Sequence, residues 1–397
     1  MNHATITLLR NARIVLPERV VENASLLIRN GRIAKISNSP ISILPAADSE
    51  IDLASLTLFP GFIDVHIHGA VGVDSMAASA EDLRRVSEFL ASRGVTAWLP
   101  TLVPASAAQY KEAIEAIAES LRDQKEIPDG GPRARVVGVH YEGPFVNSER
   151  CGALHREHFR PYHGPADLDA LPIIKDENAV HMMTLAPEVD GGIDLIRELT
   201  RRGWITSIGH TGASVDLLDR AFESGARHLT HFMNAMTPLH HRAPGPVGWG
   251  LINDQVTCDL IADSIHLDPA VLKLILRTKG AERISLISDA IAAAGLSDGD
   301  YEIWGEKISV KGGRTQNARG NIAGSVITML DAVRTMLSLG TSEPDVARMA
   351  SLNPARLLRI DHDCGSVAEE KRADLVALDK TLNTRLIIIG GEIKRNT

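Results

Sequence analysis

Six side chains able to hold a hard or borderline cation stand at the ends of short apolar runs: His66, His68, Glu142, His210, His231 and Asp289. His66 and His68 are two apart, so in a strand both imidazoles project from one face. Neutral imidazole nitrogen and carboxylate oxygen, at about 2.0–2.2 Å, form a suitable shell for Zn2+, with Fe2+ the alternative. Singly, each residue has an ordinary reading. An HxH pair is a weak signal, Glu142 before Gly143-Pro144 caps a loop, and Asp289 caps the segment after it. Together, six such groups confined to run ends are costly as unpaired buried side chains, and a metal removes that cost. Six exceed one tetrahedral shell, so one or two ions per subunit both remain open, the second sharing a bridging carboxylate.

The runs that carry these residues have strand length and lie near 62–68, 95–101, 135–142, 180–186, 204–210, 227–232, 256–262 and 284–289. Helix-period segments separate most of them, among them Ala80–Arg93, Ser106–Leu121, Gly192–Arg202 and Ser214–Ser224. Alternating strands and helices predict an α/β chain with a parallel sheet. Eight repeats fit a closed (β/α)8 TIM-like barrel over residues 59–360, whose reactive groups sit at the C-terminal strand ends. The competing architecture is an open doubly wound sheet. It would want a Gly-rich phosphate turn after the first strand, where this chain has His66-Ile67-His68-Gly69. Residues 1–58 read as short β runs, with Asn30-Gly31 as a hairpin turn, and residues 361–397 share that texture around Gly390-Gly391. Both ends are therefore expected to build one small β-sandwich domain.

Composition narrows the function classes. The 397 residues are 44% apolar and 23% charged, an ordinary globular balance. With 42 Lys and Arg against 50 Asp and Glu, the formal charge of −8 argues against a nucleic-acid or anionic-membrane partner. Cys151, Cys258 and Cys364 are far apart without CxxC spacing, which suggests neither disulfides nor a thiolate metal site. The first residues lack a leader pattern and no run approaches the length of a membrane span, so a cytoplasmic location is expected.

Longer motifs surround the six residues: Pro60-Gly61-Phe62-Ile63-Asp64-Val65-His66-Ile67-His68-Gly69, His140-Tyr141-Glu142-Gly143-Pro144-Phe145, Ile208-Gly209-His210-Thr211, Thr230-His231-Phe232-Met233-Asn234-Ala235-Met236, Ala262-Asp263-Ser264-Ile265-His266 and Ser288-Asp289-Ala290. With Ala323-Gly324-Ser325 and Asn353-Pro354-Ala355-Arg356 they span nearly the whole chain. This pattern resembles the amidohydrolase superfamily, and within it the family of N-acetylglucosamine-6-phosphate deacetylases. Many cousins place a carboxylated lysine where this chain has Glu142. The resemblance implies that Glu142, His210 and His231 are the main metal ligands, with Glu142 able to bridge to a second ion on His66 and His68. It implies that Asp289 is catalytic. It also implies that Asn234, Ala235, Arg242 and His266 hold a sugar phosphate, Arg242 reaching across from a neighbouring subunit of a homodimer. His155 is matched to a histidine near the acetyl group and sugar ring, and the segment around Ile322 and Ala323 to the pocket lining. Two departures stand out. Leu154 is inserted into the usual Gly-Ala-His triplet at Gly152-Ala153-Leu154-His155, and Ser264 occupies a position where glycine is usual.

The expected reaction is hydrolysis of a phosphorylated N-acetyl amino sugar to acetate and the free amine. A metal lowers the pKa of bound water toward neutrality. Asp289 takes a proton from the attacking water and returns one to the leaving nitrogen, while His155 or another pocket donor steadies the oxyanion. An amidohydrolase with another substrate, such as a different N-acyl amino sugar, a dipeptide or a cyclic amide, is the alternative enzyme. A non-catalytic barrel is the alternative of another class.

Overall fold

The computed structural model describes residues 5–38, 41, 47–126 and 131–395, so parts of the expected N-terminal β unit (1–4, 39–40 and 42–46) lie outside the described residues. Parallel strands at Phe62–Ile67, Val95–Leu102, Arg135–Val136 with Gly138–Glu142, Val180–Leu185, Ile205–Ile208, His228–Leu229, Thr257–Ile261 and Ile284–Ile287 follow one another around the sheet. Phe62–Ile67 and Val95–Leu102 are buried along their whole length, as strands covered on both faces must be. No regular ladder joins the eighth strand to the first. The ring closes instead through the Asp289 amide donating to His66 O at 2.9 Å and the His68 amide donating to Ala290 O at 2.8 Å. Beside them the Ser288 hydroxyl donates to Asp64 Oδ2 at 2.5 Å. Closure therefore places the ends of strands one and eight, and the reactive residues they carry, side by side.

The outer helices start where capping chemistry allows. In Ala80–Ser92, Ser79 and Asp82 form a reciprocal capping box, and Leu83, Val86 and Leu90 turn a buried stripe toward the sheet. Thr328 and Asp331 repeat the device before Met329–Ser338.

Both termini build a second sheet. Thr57–Pro60 pairs with Ile6–Val15 in parallel on one side and with Leu375–Leu378 antiparallel on the other, which joins the two ends of the chain. Leu9, Ile14, Leu26 and Ile33 share one apolar cluster with Leu375, Leu386 and Ile388. Asn30 and Gly31, at φ of 50° and 75°, turn the hairpin between Val20–Arg29 and Arg32–Ser37. A Cβ on Gly31 would lie 2.3 Å from Gly390 O, so this tip must be glycine to touch the other hairpin tip.

One unit was not expected from the sequence. After the eighth strand, Gly299–Ile303, Glu306–Lys311 and Arg314–Asn317 form a three-stranded antiparallel sheet. Its turns at Trp304-Gly305 and Gly312-Gly313 are the local signal. Cys151, Cys258 and Cys364 are buried free thiols.

Candidate active site

The six residues meet at one mouth of the barrel. His66 is the last but one residue of the first strand and His68 follows it, Glu142 ends the third, and His210, His231 and Asp289 lie just past the fifth, sixth and eighth. Those last three sit at positive φ, 48°, 31° and 50°. Non-glycine residues there cost of order 1 kcal/mol or more each, and persist only where the surroundings over-determine them. The left-handed turn immediately after each strand brings the side chain back over the barrel axis.

Glu142 is the hub. Its Oε1 lies 2.9 Å from His210 Nε2 and 3.0 Å from His231 Nε2. On its other side, His66 Nε2 lies 3.6 Å from Oε1 and His68 Nε2 lies 3.4 Å from Oε2. Asp289 Oδ1 stands 3.4 Å from His66 Nε2 and 3.3 Å from His68 Nε2. Two triads with metal-ligand spacing result, His66/His68/Glu142 and Glu142/His210/His231, both buried and sharing the carboxylate.

Hydrogen bonding explains what these groups are arranged for. His210 Nδ1 faces Arg150 O at 2.8 Å and His68 Nδ1 faces Thr101 O at 3.2 Å. A carbonyl only accepts, so each Nδ1 carries the proton, and in a neutral ring Nε2 is a bare lone pair. His210 Nε2 and Glu142 Oε1 are then two electron-pair donors facing each other at 2.9 Å, an arrangement that wants positive charge between them. The nitrogen pairs His66–His68 and His210–His231 are both 3.2 Å apart. A tetrahedral ion with bonds of about 2.0–2.1 Å spaces its ligands by about 3.3 Å, so the donor set fits a divalent metal.

Without a cation at the centre, protons on the histidines are what supplies positive charge to it. Burial opposes charge on Glu142, but protonation of the surrounding histidines outweighs it and holds the carboxyl well below its usual range. Burial pushes His66 far down, keeping it neutral as a ligand must be. For His68 burial works against protonation, yet the Asp289 hydrogen bond and the charges of Glu142, Asp289 and Asp74 prevail and raise it to about 9.

A cavity of about 270 Å³ opens over the cluster, bounded by Glu142, His210, His231 and Asp289 together with Asn234, Ala235, His266 and Ile322. Ala323 lies directly behind, fully buried, its amide donating to Thr315 Oγ1 at 3.2 Å. Asp263 fixes His266, facing its Nδ1 at 2.7 Å and accepting its backbone N–H at 2.8 Å. Burial opposes charge on Asp263, and these contacts outweigh it, holding the carboxyl below its usual range. Ser264 takes the left-handed conformation, φ 62°, that glycine would adopt without strain.

Two expected residues are not brought to this cavity. Leu154 occupies the inward position, and His155 turns into a neighbouring cleft, with Nε2 3.4 Å from Glu306 Oε1. The inserted residue shifts which side chain faces inward. Arg242 lies on the exposed loop beyond Asn234, against the His241 ring at 2.6 Å, and does not line the cavity of its own chain.

The hairpin unit also contributes to the site, which none of the sequence motifs indicates. Trp304 meets the His68 ring edge-on at 5.1 Å. Asn321 Nδ2 donates to Gly152 O at 2.8 Å and Arg319 Nη2 to Ala153 O at 2.6 Å, so this unit fixes the loop that carries Leu154. Turn glycines could have revealed the hairpins. The long-range contacts had no local signal.

Residues 57–394 match the amidohydrolase family. The chain is 38% identical to an N-acetylgalactosamine-6-phosphate deacetylase of Escherichia coli O157:H7, covering 97% of this chain and 98% of that one. It is 36% identical to an N-acetylglucosamine-6-phosphate deacetylase of Bacillus subtilis (strain 168), covering 97% and 96%. The crystal structure of the N-acetylglucosamine-6-phosphate deacetylase from Pasteurella multocida superposes with a TM-score of 0.88 at 28% identity, over 98% of this chain and all of that one. With this fold, this donor set and these relatives, the chain belongs to the amidohydrolase family of metal-dependent hydrolases, in its branch of amino-sugar-6-phosphate deacetylases.

Proposed function

We propose that the protein removes the acetyl group from N-acetylglucosamine 6-phosphate, giving glucosamine 6-phosphate and acetate. The observation that carries this reading is Glu142 shared between two histidine pairs with Asp289 alongside, in a chain that matches such deacetylases along almost its full length. Glu142, His210 and His231 would hold one divalent ion and Glu142, His66 and His68 a second, with zinc the first choice and iron the alternative. When bound, the metal supplies Lewis acidity that activates water and polarises the acetyl carbonyl.

The chain's own residues do the rest. Asp289 Oδ1 accepts a proton from the attacking water and returns it to the amide nitrogen, so that an amine rather than an anion leaves. Arg150 O and Thr101 O hold His210 and His68 in the tautomer that presents Nε2 to the centre. Asn234, Ala235 and His266 surround the phosphate end of the substrate. Arg242, exposed and off its own chain's cavity, supplies a guanidinium fork to the neighbouring subunit of a homodimer. The enzyme works in the cytoplasm. Among the described residues no helix is long and apolar enough to cross a membrane.

The 38% identity to an N-acetylgalactosamine-6-phosphate deacetylase favours a second reading, the epimeric N-acetylgalactosamine 6-phosphate. Acetate release from both 6-phosphates and from the unphosphorylated sugars decides between them, and no release from either phosphate overturns the proposal. Arg242→Ala and His266→Ala are expected to raise KM for the phosphorylated substrate far more than for the plain sugar. Equal losses for both would remove the phosphate assignment.

A further inference from the structure

We propose that Leu154 and Trp304 form a wall that limits the substrate's acyl group to about the length of acetyl, with space behind it that a longer acyl chain would enter once the wall is cut back. This rests on the deacetylase reading above. Both side chains border two cavities at once: the reaction cavity of about 270 Å³, and an adjoining cleft of about 780 Å³ into which Met76, Val103, Pro104 and Ile303 also face. The first is at the small end for a ligand pocket, for which about 300–1,000 Å³ is usual, and Leu154 and Trp304 stand between it and the second. The second has ample room and an apolar side.

Direction follows from the barrel's topology. Asn234 and His266 follow the sixth and seventh strands, whereas Met76, Val103 and Pro104 follow the first and second, across the barrel mouth. A substrate with its phosphate at the former and its amide carbon beside Asp289 points its acyl methyl away from the sugar nitrogen, toward His68, Leu154 and Trp304. Trp304 lies edge-on to His68 at 5.1 Å, so the wall stands against the reacting centre itself. Leu154 is only 4% exposed and packs with Val103 and Val146, flanked by Trp304. Its backbone is held in place by the Arg319 and Asn321 hydrogen bonds to the carbonyls of Ala153 and Gly152. A wall anchored this way discriminates by size, because it cannot drift aside at low cost.

The test is kcat/KM for the N-acetyl, N-propionyl and N-butyryl forms of both amino-sugar 6-phosphates, with wild type, Leu154→Ala and Trp304→Leu. Wild type is expected to lose about tenfold or more for each added methylene. Leu154→Ala is expected to raise the butyryl-to-acetyl ratio by about tenfold or more, and Trp304→Leu to move it the same way. One unchanged ratio across all three proteins would overturn the wall. Acetate release by wild type reads the proposed function separately. A crystal structure of Leu154→Ala tests the wall without turnover: the two cavities should merge, and cavities that stay separate would sink the idea.

Discussion

Two groups of histidines line the barrel interior, one at the mouth and one a layer below, and they are chemically alike only on paper. His140, two residues before Glu142, has both nitrogens answered by the protein, Nδ1 by Val65 O at 3.0 Å and Nε2 by Thr184 Oγ1 at 2.8 Å. Thr184 continues to Thr230 at 2.7 Å, and Thr230 to Ser207 at 2.5 Å. His228, three residues before His231, lies between Thr257 Oγ1 at 2.6 Å and Asp259 Oδ1 at 2.8 Å. At the mouth the pattern inverts. His66, His68, His210 and His231 point their Nε2 atoms at one another and at Glu142, while the Nδ1 atoms of His66 and His231 are buried with no partner. Both nitrogens of His140 are answered by the chain, whereas His228 Nε2 approaches Asp259 Oδ1 without forming a hydrogen bond and both Asp259 oxygens lack a partner among the described residues. The mouth is arranged for something the chain does not itself supply.

The largest effect belongs to the hub. Glu142→Gln keeps the size of the side chain but removes the charge that both histidine pairs share. Bound metal per chain should drop sharply and kcat/KM should fall by more than about 10³-fold. Elemental analysis beside the acetate assay reads both, and a variant with full metal and near-normal turnover would erase the distinction between the two layers.

Asp289→Asn separates holding a metal from moving a proton. Asp289 faces His66 and His68 at 3.4 and 3.3 Å but belongs to neither triad. The expected result is retained metal with kcat lower by about 10²–10⁴-fold. Loss of metal in this variant would make Asp289 a ligand first. Near-normal turnover would mean that another group carries the proton.

What the sequence made legible follows from how local each signal is. Strand and helix periods, the Asn30-Gly31 turn and the six mouth residues are properties of short segments, and each expected strand run coincides with a strand, though that near 227–232 shrinks to His228–Leu229. Side-chain direction after an insertion is different. Whether Leu154 or His155 faces the cavity depends on Arg319 and Asn321, more than 160 residues away, and no period or spacing carries that. The two histidine layers were likewise indistinguishable beforehand. His140 and Glu142 point to the same side of one strand, and only the partners on neighbouring strands decide which finishes a hydrogen-bond network and which faces a cation.

The smallest effect tests the lower layer directly. Burial, the largest influence on His140, lowers its pKa to about 4, against about 6.5 in an unfolded chain. Because the folded value is depressed, the stability contributed by the neutral ring is complete above about pH 6.5 and drains away as pH falls toward about 4, since the unfolded chain takes up a proton that the fold refuses. The gap corresponds to about 3 kcal/mol across that interval. His68 has the opposite sign: its raised pKa favours the metal-free fold below about 6.5, and that contribution is lost as pH rises through about 9. Urea unfolding of metal-free wild type and His140→Gln between about pH 7 and about pH 4 separates the two, because the His68 contribution is nearly complete below about pH 6.5 and changes little over that range. The wild-type curve should fall more steeply with acid, by up to about 3 kcal/mol over the range. Equal slopes would mean that His140 titrates as an ordinary imidazole, and that its closed hydrogen-bond network does not hold the ring neutral.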